Sequence, residues 1–234
     1  MTLTPFLRSL VFISLLGLCL PATARPDSGL PSIADVQQSI ESLADRKLPE
    51  TEQKNMLIVL TSTLQNLEDI DQTQKEMAEL EQRLKTAPEV IKQSKAELIK
   101  LDGQPESPDL KQYANSSLEQ LQQQLAERNE QLSKSQKILT QANSIVINAQ
   151  SRPERAQSDV NQMLERSQQI NTALSSGKIN GKPLSKEARV QLLSERELIS
   201  LQTDLLKEQM ASNDILLDLG TSLRDLEILR SKRL

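Results

Sequence analysis

Histidine and tryptophan are absent from this chain of 234 residues, and its aromatic side chains amount to two Phe and one Tyr. Without histidine there is no imidazole base, no Ser-His-Asp arrangement and no histidine metal ligand. The single cysteine, Cys19, falls in the opening segment beside Phe6 and Phe12. That segment reads as a cleavable signal peptide over residues 1–24. Arg8 supplies the positive n-region, and Leu10 to Leu20 is an apolar core of about eleven residues, too short to cross a bilayer as a helix. Ala22-Thr23-Ala24 is a small-x-small cleavage site, which places the mature start at Arg25. Bulky Leu18 before Cys19 argues against lipoprotein processing. The mature chain then has no Cys, His, Trp or Phe, and Tyr113 stands alone. A disulfide framework and thiolate chemistry are excluded. A thick globular core would lack large side chains to fill it.

Charge of one sign is also lacking. Of 28 basic residues only Arg8 lies in the signal, so 27 basic face 32 acidic residues, a balance of −5 with the signs interspersed. Nucleic-acid binding needs a basic face, which this pattern does not offer. No later apolar run reaches the roughly eighteen residues of a membrane-spanning helix.

Glycine is also scarce, and glycine and proline cluster at breaks between long stretches of helical period, with no strand-like alternation to compete. Residues 25–31 form a flexible arm. Residues 32–102 form a first helical segment. Ser32 caps a helix to about Lys47, the chain breaks at Leu48-Pro49-Glu50, and a second helix carries Leu57, Leu60, Leu64, Leu67, Ile70, Met77, Leu80 and Leu84 on its inner stripe. Thr86-Ala87-Pro88-Glu89 predicts a kink or a restart. Residues 103–115 turn the chain back. Ser116 with Glu119 then predicts a capping box opening the central segment, 116–174, which breaks at Ser151-Arg152-Pro153-Glu154.

The central segment carries a heptad seam: Leu118, Leu121, Leu125, Leu132, Leu139, Ala142, Val146 and Ala149, interrupted by Arg128 and Ser135. Residues 175–185 read as a flexible loop. Ser185 caps a last long helix over 186–234, with Leu198, Leu201, Leu205, Ile215, Leu219, Leu226 and Leu229 in phase. It ends on Arg230-Ser231-Lys232-Arg233-Leu234 with no glycine cap and reads as truncated. The fold expected is all-α: an elongated antiparallel helical bundle or coiled coil of about five helices.

No residue stands out as catalytic, cofactor-binding or metal-binding. The carboxylates around Glu68, Asp69, Asp71, Glu76, Glu79 and Glu81 are charge patterning of a solvated helix face. Gly177-Lys178-Ile179-Asn180-Gly181-Lys182 is one residue short of a phosphate loop, and Pro183 stands where Ser or Thr would hold Mg²⁺, so it reads as a turn. Neither an enzyme, a cofactor nor a small-molecule substrate is expected.

Several short pieces resemble the N-terminal periplasmic helical region of the large, MscK/KefA-type mechanosensitive channels of the MscS superfamily. They are Leu30-Pro31 with Ala34-Asp35, Thr86-Ala87-Pro88-Glu89, Ser117-Leu118-Glu119-Gln120-Leu121, Gln150-Ser151-Arg152-Pro153-Glu154-Arg155-Ala156-Gln157 and Ser231-Lys232-Arg233-Leu234, in the same order and rough spacing. The resemblance implies a periplasmic structural and regulatory module of a channel acting in osmotic downshock and associated with potassium. Its partners would be other copies of itself, the membrane domain of a channel, or other envelope proteins. The alternative is a stand-alone periplasmic coiled-coil scaffold or adaptor.

Overall fold

The computed structural model describes residues 29–104, 113–114 and 116–234, apart from the side chain of Glu154. The expected signal peptide, most of the arm and most of the 103–115 turn lie outside these residues. The unit Pro31–Leu234 is an all-α bundle. Its helices are α1 (Ile33–Glu41), α2 (Glu50–Asp102), α3 (Leu118–Ser176), α4 (Lys186–Ala211) and α5 (Asn213–Arg233). A two-stranded hairpin, β1 (Lys178–Ile179) with β2 (Lys182–Pro183), joins α3 to α4.

Three columns make the bundle. α2 is 53 residues and α3 is 59 residues, or about 80 and 90 Å at 1.5 Å per residue. α4 and α5 in succession form the third column. This column runs antiparallel to α3: Arg166 pairs with Glu195, and Ser135 with Glu227. It runs parallel to α2: Asn66 bonds Ser194, and Lys95 pairs with Asp218. Leu60, Leu67, Ile70 and Leu80 of α2 are buried, with Ala142, Val146, Ala149 and Ile170 of α3 and Leu198, Leu205, Leu216 and Leu226 of the third column. Leu and Ala at three- and four-residue steps give each helix an apolar stripe, and burying it supplies most of a long helix's stability.

Local signals fix several ends. Ser32 caps α1 with a capping box to Asp35, and Ser185 caps α4 by accepting from the Ala188 amide. α2 opens directly after Pro49. Other expectations are corrected. α1 stops at Glu41 rather than Lys47. The cap of α3 is Ser117 with Gln120, not Ser116 with Glu119, one residue further on. Of the kink or restart expected at Thr86–Glu89, the restart does not occur and α2 continues through Pro88: the Thr86 hydroxyl donates back to the Gln82 and Arg83 carbonyls instead of capping forward, and Ala87 is fully buried. α3 likewise runs through Pro153, with Ala149 and Ala156 buried on either side. One lost hydrogen bond is tolerated where packing on both sides holds the helix. Conversely, the single helix expected over 186–234 is interrupted at one residue, Ser212, where φ is −97° and ψ 9° and the hydroxyl donates to the Glu208 carbonyl.

The loop expected over 175–185 is a built turn. Gly177 ends α3 in the left-handed region, and Asn180 and Gly181 both have positive φ, 49° and 78°. This is the two-residue hairpin geometry that Asn-Gly favours.

Candidate functional site

No cluster of acidic, histidine or cysteine side chains suited to a metal ion occurs among the described residues. The features with chemical content are the seams between the columns and the faces left outside them.

The best-defined polar constellation lies near the end of the bundle where α5 finishes. The Glu227 side chain is almost fully buried. It accepts from the Ser135 hydroxyl of α3 at 2.5 Å and pairs with Arg230 one turn on. Arg230 reaches across to Glu97 of α2 at 2.6 Å, and the Ser231 hydroxyl lies 2.9 Å from that of Ser135. One carboxylate thus ties all three columns together. Ser135 interrupts the apolar heptads because it serves this carboxylate. A buried carboxylate needs both a counter-charge and hydrogen bonds, and it has both here.

Nearer the middle, Gly220 allows α5 to touch α3. A Cβ there would lie 2.9 Å from Val146 Cγ2 and 3.2 Å from the Ala142 carbonyl oxygen. Toward the other end, Ile170, Leu192 and Ile199 form a core cluster. Beside it, Arg166 grips Glu195 through two hydrogen bonds of 2.6 and 2.9 Å. The Glu195 hydrogen bond holds the Arg166 guanidinium pKa above its ordinary value.

The heptad seam is only partly a seam. Ala142, Val146 and Ala149 are buried, and Leu132 and Leu139 are half-buried. Leu118, Leu121 and Leu125 are exposed, as is Leu57 on α2. In the antiparallel register set by Ser135–Glu227, the first turns of α3 have no residue of α5 opposite them. No described helix is long and apolar enough to cross a membrane.

Residues 39–234 match the family described as the mechanosensitive ion channel porin domain. The chain belongs to that family. The porin-domain match takes in the last three residues of α1, all of α2 to α5 and the hairpin. The mechanosensitive channel MscK of Escherichia coli (strain K12) is a relative, 27% identical over 214 residues, which are 91% of this chain and 19% of that protein. This porin-domain chain therefore spans about a fifth of the length of that curated relative. No solved structure matches it.

Proposed function

We propose that this chain is a periplasmic structural and regulatory module of an MscK-type mechanosensitive channel that acts in the response to osmotic downshock. The observation that carries this reading is the family match across nearly the whole three-column bundle. The bundle itself favours a mechanical role. It has long helices, interspersed charge and side-chain ties between columns, and no metal-binding cluster among the described residues. The expected partners are further copies of the chain or the membrane domain of a channel, reached through helix faces rather than a small-molecule pocket. Export to the periplasm and an association with potassium flux belong to the same reading.

In this reading the pore lies outside these residues. Bringing the charged faces of α2 or α3 into hydrocarbon would cost about 2.5–3.5 kcal/mol per central charge even on the lenient insertion scale. The test is reconstitution. The purified chain in liposomes is expected to give no stretch-activated current. The same chain fused ahead of a channel's membrane domain is expected to leave conduction intact and to alter the tension threshold or the closing kinetics. Stretch-activated currents from the chain alone, or a fusion with unaltered threshold and kinetics, would overturn the reading.

A further inference from the structure

Three helix irregularities fall at one level of the bundle. Pro88 of α2 has no N–H, so the Leu84 carbonyl lacks its helical donor. Pro153 of α3 does the same to the Ala149 carbonyl. The third column is interrupted for one residue at Ser212, although the Leu216 N–H still donates to the Ser212 carbonyl. Packing puts the three side by side. Leu84 of α2, Ile145 of α3 and Leu216 of α5 gather round one small cluster with Leu80 and Leu205. Arg83, Arg152 and Leu216 line one groove of about 440 Å³.

Two polar features weaken the same level. Asn213 Oδ1 is buried without a hydrogen-bond partner. Arg83 and Arg152 bring like charges from α2 and α3 to one groove, and neither has a carboxylate partner among the described residues. Burial, and then the charge of Arg83, lower the pKa of Arg152. On either side the columns are well tied. The Ile170–Leu192–Ile199 cluster and the Arg166–Glu195 pair lie below. The Gly220 contact and the Glu227 constellation lie above.

We propose that this level is a built-in hinge, where two rigid halves of the bundle bend about the small Leu80–Leu205–Leu216 cluster. Sharp helix bends have identifiable causes, and proline is chief among them. Two prolines and a break at one height give every column its weak point in the same place. Were they staggered, each would be splinted by intact helix beside it. This inference concerns the motion of the bundle and stands independently of the proposed function.

Residual dipolar couplings of the full chain test it. Amides of 50–80 and 158–208 report one half, and amides of 90–102, 132–146 and 216–233 report the other. The expected result is two alignment tensors of different magnitude, merging into one in the Pro88→Ala/Pro153→Ala double variant, which restores a donor to Leu84 and to Ala149. A single tensor fitting both halves of the unmodified chain would overturn the hinge. Two tensors that persist unchanged in the double variant would also overturn it, because the flexibility would not arise at these prolines. A melting curve showing the double variant at least as stable as the unmodified chain confirms that the comparison is between folded proteins.

Discussion

Leu67 and Leu125 sit on apolar stripes of the same period, yet Leu67 is fully buried and Leu125 is 62% exposed. Burial, not residue type, sets the cost of truncation. Leu67→Ala is expected to lose about 2–5 kcal/mol, and Leu125→Ala to stay within about 0.5 kcal/mol. Urea unfolding of the two variants measures this, and equal losses would contradict the packing. Glu227 poses the opposite problem, a charge inside the seam. Glu227→Ala removes the acceptor for Ser135 and one partner of Arg230, and is expected to cost about 1.5–3 kcal/mol. The cost stops short of that for a fully buried pair because Arg230 keeps Glu97 and some contact with water. Glu227→Gln keeps the shape and an acceptor for Ser135, so it is expected to cost less. Combining each with Ser135→Ala in a double-mutant cycle isolates the coupling.

At the scale of the element, close approach and capping are the readable terms. Gly220→Val would push a branched side chain into Val146, Ile145 and the Ala142 carbonyl, so α5 must move away from α3. Overpacking of this kind costs about 1–3 kcal/mol, and thermal unfolding is expected to show it. The cap of α1 gives a pH prediction. Hydrogen bonds from the Ser32 hydroxyl and then the Ser32 amide hold the Asp35 carboxyl below its ordinary value of 3.8. A lowered folded pKa means a contribution fully present above pH 3.8 and lost as pH falls through the lower folded value. The α1 amides are therefore expected to lose hydrogen-exchange protection in that acid window, and Asp35→Ala to remove the pH step. The caps at Ser32 and Ser185 were legible because capping is a rule over three residues. The restart offered at Pro88 and the break expected at Pro153 do not occur. Pro88 and Pro153 suit a first turn, but buried Ala87 and Ala156 hold the helix through them, and that support comes from other columns. The break at Ser212 carries no glycine or proline, and its one local signal, the cap-type run Ser212-Asn213-Asp214, is outweighed by leucines that keep their phase across it. The turn over Gly177 to Lys182 was legible, and Asn180-Gly181 is what makes it a two-residue hairpin.

For the whole molecule, the all-α bundle was legible from period and composition, because long Leu/Ala stripes with few glycines admit little else. Which part of a stripe is covered was not. Leu118, Leu121 and Leu125 keep perfect heptad phase, and only the tertiary register shows that α5 does not reach them. Exposed helix with no residue of α5 opposite it opens at low cost. Limited trypsin digestion is accordingly expected to cut first after Arg128, before the paired Arg166 or Arg230. First cleavage at Arg166 would contradict this. The order of the columns has one more consequence. α1 folds back on the first turns of α2, where the Gln53 amide donates to the Leu43 carbonyl. At the far end, the Arg233 guanidinium donates to the Gln104 carbonyl just past α2. Residues 31 and 234 therefore lie toward opposite ends of the bundle. A pull between them slides the columns lengthwise, so ties such as Asn66–Ser194, Lys95–Asp218 and Arg230–Glu97 are strained together, as in a lap joint under shear. Had both ends emerged on one side, the same ties would peel open one after another, like a zip. Forced unfolding is a matter of rate, and side-by-side loading makes that rate depend on all three columns giving way at once.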